Sequence, residues 1–229
     1  MIAARELKFV WGEDKNYWKW IPLSNSRFSE GILLLEVCWL EIRAKIKCRV
    51  LSARTAYAAY LIFSMEDGAN WLDTILQKSS IIMNGMTVSK HWICIEPEGS
   101  TRRRHAQHIR NADKIGPNVK VPEDRDDGWK EIEMGRFYIS DGDDEDVEVK
   151  LTEVRGWDRM SGLLLQGIEF RPLKDQSAFS FPTSNLDENL IVEYKGDPDE
   201  LSFFEIIPPI PVGLEELNSY KIEHYNFSD

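Results

Sequence analysis

Alternation of apolar and polar residues is the main pattern along this chain. In VEVKLT, residues 147–152, every second side chain is apolar, which is the two-residue period of a strand with one buried face. CWLEIRAKI, residues 38–46, alternates in the same way, and Trp39 falls on the side of the charged residues. YAAYLIF, residues 57–63, is apolar throughout and predicts a strand buried on both faces. Two further segments bounded by turn signals have strand patterns, residues 129–137 and 162–170.

Helical periodicity is confined to one short segment. Between Asn70 and Lys78 the apolar residues recur at positions i, i+1, i+4 and i+5, which predicts a short helix. Several strands at short spacing with almost no helix are typical of an antiparallel β-sandwich or barrel. We therefore expect an all-β fold.

Two regions break the strand pattern. Residues 97–127 are polar and contain three prolines, so we interpret them as a long surface insertion. Their arginine run, residues 102–104, matches either a nuclear-import signal or a solvated loop, and three arginines alone favour the loop. Beyond Pro172, apolar clusters and prolines follow without regular periodicity. This composition predicts either a Pro-interrupted arm packed on the domain or a disordered tail.

The charge of the chain is uneven. The 229 residues carry a net charge of −11, and the segment from Leu173 to Asp229, with 12 acidic and 3 basic residues, holds −9 of it. We therefore divide the chain into a domain at residues 1–172, which we expect to fold without the remainder, and an acidic C-terminal extension at residues 173–229. An acidic chain is a poor partner for nucleic acid, because neutralising phosphates requires a basic surface. A neutral ligand fits this composition better.

The sequence shows no catalytic or metal-binding pattern, and we expect neither an enzyme nor a cofactor. Glu131 and Glu133 could pair as a general acid and base, but their alternating positions favour a solvated strand face. Cys38, Cys48 and Cys94 are odd in number and lack metal-ligand spacing, which favours a reducing compartment over a disulfide scaffold. No apolar run is long enough for membrane insertion and no secretory signal is evident. We expect the cytoplasm, and the sequence leaves an additional nuclear location open.

Aromatic residues are concentrated in WGEDKNYWKW, residues 11–20, where they could form either a strand core or a platform for a ligand. Trp11 shares strand parity with the apolar residues before it, so core and ligand contact are equal alternatives. Trp18 follows the charged run GEDKN, which favours a loop rim and a ligand contact. Trp20 precedes Ile-Pro and is expected in the core. The tryptophans that we assign to packing are Trp39, Trp92, Trp129 and Trp157.

Four blocks of sequence occur in a distinctive order. They are AARELKFVWGEDKNYWKW, SRFSEGILLLEVCWLEIRAKIKCRVLSARTAYAAYLIF, DGWKEIEMGRFY and DGDDEDVEVKLTEVRGWDRMSGLLLQGIEFRP. Together they resemble the phloem-lectin domain shared by the phloem protein two family and the Nictaba-like plant lectins. The resemblance covers roughly residues 3–172.

This resemblance implies a fold and a function. The fold is a jelly-roll type of antiparallel β-sandwich. The function is that of a plant lectin inside the cell, which binds N-acetylglucosamine oligomers, N-glycan cores and the glycoproteins that carry them, without a metal. The alternative is a protein-interaction or phloem structural module with a weakened sugar site. The sequence leaves a homodimer open.

The resemblance also implies binding residues. Its N-terminal tryptophans correspond to Trp11 and Trp18, and its acidic positions correspond to Asp146 and Glu153. An indole offers an apolar face to the C–H groups of a sugar ring, and carboxylates orient hydroxyl groups by charge-assisted hydrogen bonds. Glu153 shares parity with the apolar residues of its strand, so a regular strand would bury it. Either the strand ends or bulges there, or the carboxylate has a buried partner.

Overall fold

Thirteen strands in two sheets make up most of the described chain. The computed structural model describes residues 1–70, 72, 76–95, 119–153 and 159–174, all within the unit Met1–Phe181. The strands are β1 (Ile2–Ala3), β2 (Lys8–Phe9), β3 (Trp18–Pro22), β4 (Glu30–Leu34), β5 (Leu40–Lys47), β6 (Thr55–Asn70), β7 (Gln77–Met83), β8 (Met86–Ile93), β9 (Val119–Lys120), β10 (Glu123–Asp124), β11 (Lys130–Ile139), β12 (Asp146–Glu153) and β13 (Ser161–Pro172). The helical elements of these residues are two 3-10 turns, Ala4–Glu6 and Cys48–Val50.

Each sheet is built mainly from antiparallel neighbours. The first sheet has the strand order β10-β11-β6-β13-β4-β3, and β1 also pairs with β13. The second sheet has the order β2-β5-β12-β7-β8-β9, in which β8 and β9 are parallel. The buried Ser79 Oγ of β7 donates a hydrogen bond of 2.5 Å to the backbone oxygen of Met134 in β11, which links the two sheets. The predicted antiparallel all-β sandwich is confirmed.

Burial in the sheets follows the alternation of the sequence. In β12 the apolar side chains of residues 147–152 are fully buried, and the side chains between them are partly exposed. In β6, the consecutive residues Leu61, Ile62 and Phe63 are all fully buried. Side chains on successive positions of a strand point to opposite faces. Both faces of β6 are therefore covered, as its apolar sequence predicts.

The helix predicted between Asn70 and Lys78 is wrong in the part of this segment that the structure describes. Asn70 ends β6, Leu72 lies in a turn, and β7 begins at Gln77. β7 buries every second residue and pairs on both sides, with β12 and with β8. At Gln77 and Lys78, pairing across the sheet therefore outweighs the local helical spacing, which is a weak signal in so short a segment.

Several sequence predictions fall outside the described residues. They concern the arginine run at residues 102–104, the packing of Trp157 and the extension beyond Lys174. Of the surface insertion predicted at residues 97–127, the described part starts at Val119 and contributes the short strands β9 and β10.

β1 approaches β13 closely at Gly167. Ala3 pairs with Gly167, whose φ is +155° and which lies at an irregularity in the register of β13. A Cβ atom built at this position would lie 2.1 Å from the backbone oxygen of Ile2. Glycine alone combines the permitted φ with the absence of this overlap. The docking of the N-terminal strand therefore depends on a glycine at position 167.

We expect Gly167→Ala to lower the free energy of unfolding by about 3 kcal/mol, because the added methyl group displaces β1 and the backbone is strained. Gly142→Ala is the matched control, since Gly142 also has a positive φ, +84°, but a Cβ there has no neighbour within 4 Å. The control should lose only about 1 kcal/mol. Urea denaturation followed by circular dichroism measures both, and equal losses would contradict the role assigned to the β1 contact.

Candidate functional site

The loop between β2 and β3, residues 10–17, is held in place by backbone hydrogen bonds. The Val10 N–H donates to the Glu41 oxygen of β5, at 3.1 Å. Within the loop, the Asp14 N–H donates to the Trp11 oxygen at 3.0 Å. These bonds attach the start of the loop to the second sheet and close a turn around Trp11.

Trp18 lies beneath this loop and is 2% exposed. Its ring centroid lies 4.7 Å from that of Phe9, and its Nε1–H donates to the Val10 oxygen at 2.9 Å. The rim position predicted for Trp18 is wrong, because β3 begins at this residue and directs the indole inward. A ligand cannot stack on a ring that is covered in this way.

Three aromatic side chains, Trp11, Tyr17 and Trp39, meet beside this loop and are called here the aromatic cluster. The Trp11 ring centroid lies 5.1 Å from that of Tyr17 and 6.1 Å from that of Trp39, and the two indole planes differ by 17°. These values are typical of attractive, offset aromatic pairs. Trp11 has a φ of +52° in a turn, so strand parity does not govern its side chain. It is partly buried against the core, and Trp39 is 36% exposed.

Glu153 lies at the same end of the second sheet as the aromatic cluster. It is the last residue of β12 and pairs with Leu40, the residue that follows Trp39. On the other side of β5, β2 ends at Phe9, which pairs with Ile42, and Val10 bonds to Glu41. Trp11 follows directly and therefore lies near the start of β5. Glu153 is 2% exposed, so the burial predicted from strand parity is confirmed.

Asp146 lies at the opposite end of β12 from Glu153. It pairs with Lys47 and is exposed beside an acidic turn. Burial, then the charges of Asp143 and Asp146, raise the pKa of the neighbouring Cys48 thiol. A strand rises by about 3.3 Å per residue, so seven residues separate the two ends by roughly 23 Å. The structure therefore brings Trp11 and Glu153 to one end of the sheet and leaves Asp146 at the other.

Trp20, predicted in the core, is exposed, and Trp39, assigned to packing, stacks on Trp11 but is exposed as well. Trp39 and Trp20 each have 36% exposure, and the guanidinium of Arg5 lies 4.5 Å from the Trp20 ring centroid. Trp129 is buried, as predicted, and its Nε1–H donates to the Asn25 oxygen at 2.9 Å. The sequence contains a signal for Trp39, because this residue falls on the charged side of its alternating segment.

Comparison with known proteins identifies the family of this chain. The family model described as phloem protein 2 matches residues 1–172. The chain belongs to the phloem protein 2 family. This match confirms the resemblance carried by the four sequence blocks. Phloem protein 2 domains are lectin-like.

Similar phloem protein 2 relatives are found in Arabidopsis thaliana. F-box protein PP2-B10 is 36% identical over 176 residues, which cover 76% of this chain and 60% of the relative. F-box protein At2g02240 is 38% identical over 177 residues, with coverages of 77% and 52%. F-box protein VBF is 36% identical over 183 residues, with coverages of 75% and 65%. The chain thus spans 52–65% of the length of these three relatives.

The outward face of the first sheet in this phloem protein 2 domain carries a network of ion pairs. Arg171 of β13 donates two hydrogen bonds to the Glu131 carboxylate of β11, at 2.7 and 2.5 Å. Arg125 donates another to Glu131 at 2.5 Å, and Arg171 also binds Glu169 at 2.7 Å. The Arg171 guanidinium lies 4.4 Å from the Tyr60 ring centroid of β6. The network therefore spans three neighbouring strands.

Neighbouring basic side chains set the charge of Glu131 and Glu133, the two carboxylates considered from the sequence as a general acid and base. Hydrogen bonds from Arg171 lower the pKa of Glu131, although burial opposes them. Burial is the largest influence on the pKa of Glu133 and raises it, but the hydrogen bond from Arg136 and the charges of Lys120 and Arg136 together lower it below its ordinary value. Both groups are ionised at neutral pH, and neither holds the proton that a general acid transfers. This strand face is polar, as expected, and its carboxylates Glu131 and Glu133 are bonded to arginine side chains.

The described residues offer little for metal or redox chemistry. In that part of the chain, no group of three or more His, Cys, Asp or Glu side chains could hold a metal ion. Cys38, Cys48 and Cys94 are not joined by disulfide bonds. No helix within the described ranges is long and apolar enough to cross a membrane.

We expect Trp18→Ala to lower the free energy of unfolding by about 3–5 kcal/mol, because it removes a buried indole. Trp18→Phe should cost less, since it retains most of the packing and loses the hydrogen bond to Val10, worth about 1 kcal/mol. Trp20→Ala is the control at an exposed position of the same strand and should cost less than about 1 kcal/mol. Urea denaturation measures all three, and a loss in Trp18→Ala no larger than that of the control contradicts the assignment.

We expect the midpoint of thermal unfolding to fall in acid. A carboxylate whose pKa is lowered on folding stabilises the protein above its ordinary pKa, and this contribution is lost as the pH falls through the folded-state value. The ordinary value for Glu131 is 4.5, so the midpoint should change little from neutral pH to about 5 and decline below 4.5. Glu131→Gln should unfold more easily at pH 7 and show a shallower decline. An unchanged decline would mean that this network does not control acid stability.

Proposed function

We propose that this phloem protein 2 domain binds oligomers of N-acetylglucosamine, and glycoproteins that display them, at the aromatic cluster. The observation that carries the proposal is the meeting of Trp11, Tyr17 and Trp39 at one end of the second sheet. Partly exposed aromatic rings that are braced against each other form a firm apolar surface. The family is one of lectin-like, carbohydrate-binding domains, which supports a sugar as the ligand.

The chemistry of such a ligand matches the groups available at this surface. One face of a pyranose ring presents C–H groups, which pack on an indole, and the acetamido methyl group needs a further apolar wall. The cluster contains two indoles and a phenol ring for these contacts. Sugar hydroxyl and amide groups need hydrogen-bond partners. The loop segment at residues 13–16, GluAspLysAsn, supplies polar side chains between two members of the cluster.

The residues that the resemblance implies have different parts in this proposal. Trp11 lies within the cluster, against both Tyr17 and Trp39. Trp18 and Glu153 are both 2% exposed, so we assign them to the support of this end of the sheet. Asp146 lies at the other end of β12 and is not part of the proposed site.

We expect N-acetylglucosamine trimer to produce a saturable change in tryptophan fluorescence, because the sugar changes the surroundings of the indoles at the surface. The family resemblance implies binding without a metal, so the change should persist in EDTA. Cellotriose is the matched control ligand, since it has the same backbone without acetamido groups, and it should bind more weakly.

Absence of a response to the trimer up to about 10 mM, which corresponds to roughly −3 kcal/mol or weaker, contradicts the proposed function. Equal binding of the trimer and cellotriose contradicts recognition of the acetamido group. Loss of binding in EDTA contradicts the metal-free mode.

A further inference from the structure

We propose that Trp39 supplies the aromatic face on which the sugar ring stacks, and that Trp11 and Trp18 are positioning residues behind it. This inference rests on the proposed sugar-binding function and names the ring that contacts the ligand. Trp39 is not among the residues that the family resemblance implies. Its assignment as the stacking ring follows instead from its exposure, the geometry of the cluster and its position beside β5.

Exposure distinguishes the three tryptophans. Trp39 is 36% exposed and Trp18 is 2% exposed, and Trp11 is partly buried against the core. A sugar ring stacks only on an aromatic face that solvent can reach. Trp39 therefore offers the ligand more of its ring than the other two indoles do.

The geometry of the cluster fixes Trp39 without covering it. The Trp11 and Trp39 planes differ by 17°, but their centroids are 6.1 Å apart, so these nearly parallel rings are displaced sideways. Only part of the Trp39 face meets Trp11. Trp11 has a second aromatic neighbour, Tyr17, with ring centroids 5.1 Å apart. Trp11 is thus held between partners and braces Trp39.

A chain of contacts connects the buried indole to the exposed one. The Trp18 Nε1–H donates to the Val10 oxygen at 2.9 Å, and the Val10 N–H donates to the Glu41 oxygen at 3.1 Å. Val10 precedes Trp11 directly, so these two bonds fix the point from which the Trp11 ring reaches Trp39. Trp18 therefore acts on the ligand surface through the loop.

Strand β5 begins directly after Trp39, and its outward side carries polar groups suited to sugar hydroxyls. Glu41 and Arg43 follow on the same side of the strand and form an ion pair, and Arg43 also lies 4.0 Å from the Glu148 carboxylate. Glu41 is two residues beyond Trp39 in the chain, so their Cα atoms are at most about 7 Å apart. A sugar stacked on Trp39 thus has a neighbouring charged pair toward which further sugar units can extend. This arrangement favours oligomers over the monosaccharide.

Isothermal titration of the full chain with N-acetylglucosamine trimer compares the wild type with Trp39→Ala and Trp20→Ala. Trp20 is the matched control, because it is also 36% exposed but lies on β3 of the first sheet, beside Arg5. We expect Trp39→Ala to raise the Kd at least tenfold and Trp20→Ala to leave it within about twofold, which is less than 0.5 kcal/mol. Trp39→Phe should recover part of the affinity, because it restores an aromatic face.

Fluorine NMR of protein labelled with 5-fluorotryptophan measures the chemical shift of each indole. A sugar that contacts Trp39 changes its chemical shift more than that of a residue with a purely structural role. The resonance that is missing from Trp39→Phe identifies Trp39, and it should shift with the trimer more than the resonance of Trp18. If Trp39→Ala binds with wild-type affinity, or if the Trp39 resonance of a wild type that binds the trimer does not shift, the inference about Trp39 is wrong and the proposed function stands. A wild type that does not bind the trimer overturns the proposed function, and the inference with it.

Discussion

Pairing of β5 with β12 determines the geometry of the second sheet. The register is continuous from Asp146 opposite Lys47 to Glu153 opposite Leu40. Because the two strands stay in step, their apolar side chains share the inner face and their charged side chains share the outer face. The same extended pairing holds the two ends of β12 roughly 23 Å apart. The proposed ligand site at one end therefore comprises the neighbouring loop and the residues next to the start of β5, and Asp146 at the other end lies outside it.

The sequence predicts the long strands well because each has enough residues to display a period. The alternation in residues 147–152 and the apolar run in residues 57–63 correspond to β12 and β6, which both have partners on two sides. The two-residue strands such as β1 and β2 cannot show a period, and only the folded register reveals them. The segment from Asn70 to Lys78 is also too short for its apolar spacing to distinguish a helix from strand ends.

The candidate site is less predictable than the fold, because it depends on what covers each side chain. Trp18 and Trp20 have the same strand parity, yet they are 2% and 36% exposed. The Trp18 Nε1–H is bonded to Val10 in the loop that covers it, whereas the Arg5 guanidinium lies over the partly exposed Trp20 ring. Alternation gives the side of a strand on which a residue lies and contains no information about such tertiary contacts. The parity of Glu153 gives its burial correctly, because that part of the sheet is regular.

An indole can stabilise the fold by being buried or present an exposed face to a ligand, and one residue cannot do both fully. Trp18 is buried and Trp39 is partly exposed. Trp18 is buried, with its N–H donating to a backbone oxygen, so its apolar area stabilises the fold and is closed to a ligand. Trp39 retains an exposed face, which contributes less to folding. Stacking against Trp11 limits the motion of that face before any ligand arrives. Binding to a ring that is already held loses less conformational entropy than binding to a free one. Trp18 thus holds the loop through its hydrogen bond to Val10, and the loop positions Trp11, which packs against the exposed ring of Trp39.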